Sequence, residues 1–224
     1  MKMTKKKLAV VSLILCVAAI LSMGTLAWFT ADDTVTNELK FVTDFKMDLY
    51  ETDGNGKVIQ NKAGETIGRT YNDVRPNATL YKDPTVINKS EKEEQWVRMT
   101  VKVTDTDTWK KLGITDLTAL FDVADDFDST WKRYDAPVVT TGDADNGTMT
   151  YTFYLLETLK PGKANVRTLF KGIHIPETLT IDQAKEIEDC QIIVKAEAMQ
   201  ASDLGTGVTD AYTAFTNPTK TASN

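Results

Sequence analysis

Gln95-Trp96-Val97-Arg98-Met99-Thr100-Val101-Lys102-Val103-Thr104 is the stretch on which the fold turns. Val97, Met99, Val101 and Val103 alternate with Arg98, Thr100 and Lys102, so an extended chain here has one buried and one solvated face. Two later runs carry the same alternation. Thr148 to Leu156 places Met149, Tyr151, Phe153 and Leu155 together, and Cys190 to Gln200 does the same for Cys190, Ile192, Val194, Ala196 and Ala198. Upstream, Phe41, Phe45, Met47 and Leu49 share one side of an extended chain, opposite Asp44, Lys46 and Asp48. Asp53-Gly54-Asn55-Gly56 then predicts a turn, because glycine and asparagine tolerate positive φ, with Lys57 to Ile59 returning as the hairpin partner.

Between these runs, Thr115 to Val123 sets Leu117, Leu120, Phe121 and Ala124 near helical spacing, and Thr180 to Glu188 opens with a threonine cap followed by Asp182 and Gln183. Both predict short helices in the connections. Threonine, valine and tyrosine favour pleated strands, and the chain shows neither a βαβ rhythm nor an internal repeat. The expectation is an all-β fold, a jelly-roll-like two-sheet sandwich with short helices in the connections.

The first residues are organised differently. Lys2, Lys5, Lys6 and Lys7 precede an uncharged run from Leu8 to Met23, which leads into Gly24-Thr25-Leu26-Ala27. Basic start, apolar run and small residues form a secretory signal layout, and the run is shorter than the ~20 residues that a spanning helix needs. Residues 1–27 are therefore expected to be a signal peptide helix, cut after Ala27 with Thr25 two residues before it, so that Trp28 begins the mature chain; the alternative is a retained membrane anchor. Residues 28–216 are expected to form the sandwich, and 217–224, small and polar with Pro218, a disordered tail without an LPxTG-type sorting signal.

Loss of residues 1–27 removes four lysines and no acid, taking the formal net charge from −6 to −10. Such a surface repels nucleic acid and anionic lipid. Cys16 lies in the signal, so Cys190 stands alone in the mature chain, either as a small buried apolar residue or as an intermolecular crosslink or reactive thiol.

Hydrolytic chemistry is poorly supplied. His174, the single histidine, sits in Gly172-Ile173-His174-Ile175-Pro176 without an adjacent acid and reads as a strand residue. One histidine cannot build the His-Glu-x-x-His zinc site. No glycine-rich phosphate loop is present, and Gly54 and Gly56 lie in an acidic turn. Asp53 with Asn55, Asp125 with Asp126 and Asp128, and Asp143 with Asp145 and Asn146 read as solvated turns, since they lack the closing glutamate of a calcium loop. The triplets starting at Asn77, Asn88 and Asn146 fit the glycosylation pattern but read as incidental. No catalytic residue, metal or cofactor is expected.

Gly24-Thr25-Leu26-Ala27-Trp28-Phe29-Thr30-Ala31-Asp32 resembles the signal junction of the TasA/camelysin family, whose precursors are cut by a SipW-type signal peptidase. Tyr81-Lys82-Asp83-Pro84-Thr85-Val86-Ile87-Asn88 followed by Trp96-Val97-Arg98-Met99-Thr100-Val101 is similar to the family's Lys-Asp-Pro turn and first core strand. Leu159-Lys160-Pro161-Gly162, Leu169-Phe170, Ile173 to Pro176 and Ala196-Glu197-Ala198-Met199-Gln200-Ala201 extend the likeness, which together spans Lys2 to Phe215.

The resemblance implies a jelly-roll domain, secreted to the bacterial cell surface and assembled into biofilm matrix fibres. In such fibres the mature N-terminal strand of one subunit completes the sheet of the next. Here that strand is expected within residues 28–39, with Trp28, Phe29, Val35 and Leu39 as its apolar positions; alternatively the segment is the first strand of its own sheet. The implied partners are further copies of the chain, the signal peptidase during export, and other matrix components. Two competing functions stand beside the fibre subunit: an exported camelysin-like metalloprotease, and a monomeric adhesin.

Overall fold

The computed structural model describes residues 30–33, 45–60, 64–66, 68–123, 126–187, 190–202, 204 and 208–216. The expected signal peptide, residues 1–27, and the expected tail, 217–224, lie outside the described residues. The fold is an all-β sandwich of antiparallel sheets with short helices in the connections.

Twelve strands are described: β1 Thr30–Asp33, β2 Met47–Tyr50, β3 Thr79–Tyr81, β4 Thr85–Asn88, β5 Gln95–Thr104, β6 Phe121–Asp122, β7 Trp131–Lys132, β8 Val138–Thr140, β9 Thr148–Leu155, β10 Val166–Thr168, β11 Gly172–His174 and β12 Ile192–Gln200. The first layer is a six-stranded sheet in the order β1-β12-β5-β9-β7, with β8 pairing on β9 as well. The three alternating runs of the sequence form its centre. β12 meets β5 with Val194 opposite Val101, Ala196 opposite Met99 and Ala198 opposite Val97; β9 meets β5 with Tyr151 opposite Val101 and Phe153 opposite Met99. Directly opposed residues share a face, so one apolar surface is assembled from three strands. Val97, Met99, Val101, Val103, Tyr151, Ala196 and Ala198 are wholly inaccessible to solvent. Each large apolar side chain so buried contributes about 1.5–3 kcal/mol relative to exposure.

The second layer comprises two three-stranded sheets, β10-β4-β2 and β3-β11-β6. Both rest on one chain pairing. Val166 lies opposite Ile87 and Thr168 opposite Thr85 in one sheet, and Gly172 lies opposite Tyr81 and His174 opposite Thr79 in the other, without a change of register. The ladder breaks only around Lys82-Asp83-Pro84, where Pro84 has no N–H to give and instead accepts from the Leu169 N–H at 3.0 Å. The segment expected as a turn is thus an interruption within a continuing strand pair. Met47 and Leu49 from β2, Val86 from β4, Phe121 from β6 and Ile173 from β11 close one core with the first layer.

The four helices among the described residues are short: α1 Thr106–Lys111, α2 Phe127–Thr130, α3 Ile181–Glu186 and α4 Ala211–Thr216. The α3 helix starts as expected, with a reciprocal capping box in which Thr180 Oγ1 accepts from the Gln183 N–H and Gln183 Oε1 accepts from the Thr180 N–H. Thr115 to Val123 differs from the expected helix. It holds one 3-10 turn, Thr118–Leu120, because Phe121 is taken into strand pairing opposite Ile173. Leu117, Leu120 and Phe121 are nonetheless buried, so the apolar spacing identified the right residues in the wrong conformation. The acidic turn closes as expected. Asp53 Oδ1 accepts from the Asn55 and Lys57 N–H groups, Gly54 and Gly56 take φ of +91° and +84°, and Thr52 bridges Val58.

Candidate assembly edge and buried polar clusters

The β1 strand lies at one margin of the six-stranded sheet, antiparallel to β12, with Thr30 opposite Met199, Ala31 opposite Ala198, Asp32 opposite Glu197 and Asp33 opposite Ala196. Part of the segment expected to complete a neighbour's sheet therefore occupies the edge of its own. Among the described residues four opposed pairs on one side hold it, whereas β12 is paired along all nine of its residues with β5. A short marginal strand can be replaced by an identical one at low cost, because every backbone bond lost is remade. Thr25, Ala27, Trp28, Phe29, Val35 and Leu39, assigned from sequence to cleavage and assembly, lie outside the described residues.

Near the start of β12 the two layers part around a cavity of about 720 Å³. Ile192 and Cys190 face it from the first layer, Ile173 and Leu120 from the second, and Trp109 and Leu179 from the connections. Lys82 and Arg69 reach its wall, and Arg69 Nε is buried without a hydrogen-bond partner among the described residues. Cys190 is largely withdrawn from water, with its Sγ 3.4 Å from Trp109 Nε1, and burial pushes its thiol up to about 11. Its apolar setting makes it a poor thiolate nucleophile at neutral pH.

The outer face of the six-stranded sheet is covered by the C-terminal segment. Ala211 and Ala214 of α4 pack on Trp96, Tyr154 and Met199, and Tyr134 stacks on Tyr212 at 4.2 Å. Arg98, paired with Glu197 at 2.6 Å, lies 4.4 Å from the centre of the Phe215 ring. Asp210 anchors this strap. Its Oδ1 accepts from the Thr213 N–H and hydroxyl, each at 2.8 Å, and its Oδ2 accepts from the Tyr134 hydroxyl at 2.7 Å.

Burial opposes ionisation of Asp210, but these hydrogen bonds outweigh it and hold the carboxyl below the usual carboxylate value. The Tyr134 hydroxyl, bonded to that carboxylate, is pushed up to about 12. A depressed folded-state pKa adds stability above the unfolded value of 3.8, and that stability is lost as pH falls through the folded value. The tyrosine acts at the other end: its contribution is present below 10 and lost as pH rises through about 12. The strap is accordingly expected to hold unchanged through neutral pH and to loosen below about pH 4. Thermal melts of Asp210→Asn and the parent chain should differ at pH 6 and converge at pH 2; parallel curves would exclude the linkage.

A second polar cluster sits beside the ladder break. Lys82 Nζ donates to Glu51 Oε1 with side chains only 7% and 10% exposed, and Glu51 Oε2 is buried without a partner among the described residues. Asp83, also buried, clamps the next residue: its Oδ1 accepts from the Thr52 N–H at 2.7 Å, and its Oδ2 from the Thr52 hydroxyl at 2.7 Å and the Tyr81 hydroxyl at 3.0 Å. Arg69 donates to the Thr52 carbonyl at 2.7 Å, and the Tyr71 hydroxyl, bonded to the Tyr81 carbonyl, is pushed up to about 12 chiefly by burial and then by Glu51. The ion pair was not foreseen from the sequence. Its available signal was Lys82-Asp83-Pro84 directly before the strand Thr85–Asn88, every residue of which is buried.

His174 ends β11 as a strand residue, with Nδ1 3.3 Å from Thr79 Oγ1. Asn146 and Gly147, both at positive φ, cap the start of α1 through backbone carbonyls, and Asp143 Oδ1 accepts from the Asp145 and Gly147 N–H groups at 3.0 Å. Asn88 is fully buried, and its Nδ2 donates to the Glu93 and Leu159 carbonyls, so its triplet offers no surface for a sugar. Among the described residues no three His, Cys, Asp or Glu side chains converge as metal ligands do, and no helix is long and apolar enough to cross a membrane. No protein-family model, curated protein or solved structure matches the chain.

Proposed function

We propose that the chain is a secreted structural subunit of extracellular biofilm matrix fibres, which assembles by exchange of its leading strand once the signal peptide is removed. The supporting observation is the place of Thr30–Asp33: a four-residue strand at the margin of the main sheet, paired among the described residues with β12 alone, shortly after the expected cut. A strand so placed can leave its own sheet and enter the same position on another copy with no new backbone chemistry. While the signal peptide is attached, the segment is tethered at the membrane; a SipW-type peptidase frees it. The likeness of the signal junction and of the later blocks to the TasA/camelysin family supports the same reading.

The mature chain starting at Trp28 is expected to form filaments visible by negative-stain electron microscopy, and a chain lacking residues 28–39 to stay single. With a net charge near −10 in the mature chain, added salt should speed assembly by screening repulsion. Both chains remaining single across concentration and pH would refute the proposal.

A further inference from the structure

We infer that the cavity between the two layers is a binding site for a small amphipathic carboxylate, a hydrocarbon chain ending in a single acid group, with Arg69 as the residue that holds the acid. The inference concerns one chain by itself, so it does not depend on whether copies of the protein polymerise. At about 720 Å³ the cavity is of the size of small-molecule sites, which combine apolar lining with a few polar groups that fix orientation. Its wall has both parts. Trp109, Leu120, Ile173, Leu179 and Ile192 offer a hydrocarbon chain a surface away from water, and set among them are three cations, Arg69, Lys82 and Lys185, with one acid, Asp73. This excess of positive charge is local, in a chain whose formal net charge is −6, and it favours an anion as the guest.

The three cations are not equivalent. Lys82 is committed to Glu51, and Lys185 bonds Asp182 at 3.0 Å. Arg69 has no carboxylate partner among the described residues. One of its terminal nitrogens donates to the Thr52 carbonyl at 2.7 Å, its guanidinium lies 5.3 Å from the centre of the Tyr81 ring, and its Nε is a buried donor without an acceptor among the described residues. A guanidinium is always charged, and its planar fork matches the two oxygens of a carboxylate. A buried donor left unmet is unfavourable, so an acid group that accepts from Arg69 removes a defect that the fold carries on its own. Arg69 and Lys82 bond consecutive residues, Thr52 and Glu51, which brings two positive heads to one part of the wall. Trp109 and Cys190, with Nε1 3.4 Å from Sγ, belong to the less polar remainder. A guest charged at one end and apolar along the rest matches this division. A wholly apolar guest would leave Nε unmet, and a cationic one would meet like charge.

The test titrates decanoate into the mature chain by isothermal titration calorimetry, with decanol and decylamine as guests of equal length carrying no charge and the opposite charge. Decanoate should bind at a single site per chain, decanol roughly ten- to a hundredfold more weakly for want of the charged hydrogen bond, and decylamine not measurably. Arg69→Gln should lower the affinity for decanoate to that for decanol and leave decanol unchanged. Maleimide labelling locates the site without any substitution. Cys190 lines the cavity and is the single cysteine of the mature chain, so saturating decanoate should slow its reaction and decylamine should not. Equal affinities for decanoate and decanol, or decanoate binding undiminished in Arg69→Gln, would overturn the assignment of the acid to Arg69. Absence of decanoate binding, or binding that leaves the labelling of Cys190 unchanged, would overturn the cavity as the site. Should Arg69→Gln fail to fold, the three guests and the labelling on the unaltered protein decide the matter, and none of these outcomes bears on fibre formation.

Discussion

Replacing Lys82 with methionine is expected to destabilise the folded chain by about 3–5 kcal/mol, among the largest effects of any single substitution. The reason lies in what stays behind. Glu51 is 7% exposed, its Oε1 bonds Lys82 Nζ, and its Oε2 is buried with no partner among the described residues. Without the ammonium group, a buried carboxylate loses the cation that offsets its lost hydration. The pair itself adds far less than this, because both charges already lost water on folding. Lys82→Met with Glu51→Leu is therefore expected to recover most of the loss. Urea denaturation of the four chains of the double-mutant cycle measures this directly. A single-substitution cost below about 1 kcal/mol would show that Glu51 reaches water after all.

Phe170→Ala is expected to cost about 3–5 kcal/mol. Phe170 is 1% exposed and stacks on Phe121 with ring centres 4.9 Å apart and planes within 7°. It lies between β10 and β11, where the second layer's ladder is interrupted and Leu169 and Lys171 bond the backbones of Pro84 and Asp122 on either side of it. The Phe170–Phe121 stack adds side-chain packing to these backbone bonds at the joint. At about 2–4 °C per kcal/mol for a chain of this size, the melting temperature should fall by roughly 6–20 °C. Val139→Ala, on the exposed strand β8, should change stability by no more than about 0.5 kcal/mol. Similar losses for the two substitutions would mean that the joint is not held by this stack.

Much of the fold was legible in the alternation. The runs around Val101, Tyr151 and Ala196 became the three central strands, with their apolar faces inward. The acidic turn at Asp53 and the cap at Thr180 were legible because their hydrogen bonds lie within four residues of chain. The helical spacing of Leu117, Leu120 and Phe121 misled, since Ile173 supplies Phe121 with a strand partner from about fifty residues away. The strap from Asp210 to Thr216 went unread as well, because its six-residue helix is stabilised by Trp96, Tyr154 and Tyr134 rather than by its own propensity.

At the candidate site the same division holds. Trp28 to Leu39 reads as a segment able to pair, from its apolar positions alone. That β12 is the strand it meets, in a register that sets Thr30 opposite Met199, comes only from the folded chain. The Lys82–Glu51 pair, spanning 31 residues, and the cavity beside Cys190 depend equally on distant segments meeting.

By itself the sequence determined which residues leave water and where the chain turns, because alternation, capping and positive φ are local properties of a few neighbouring residues. The tertiary structure alone decided which strand lies beside which, where the sheet ends and which buried charge finds its partner. An apolar face is satisfied by any complementary face, so the choice among them is made only by the packing of the whole chain.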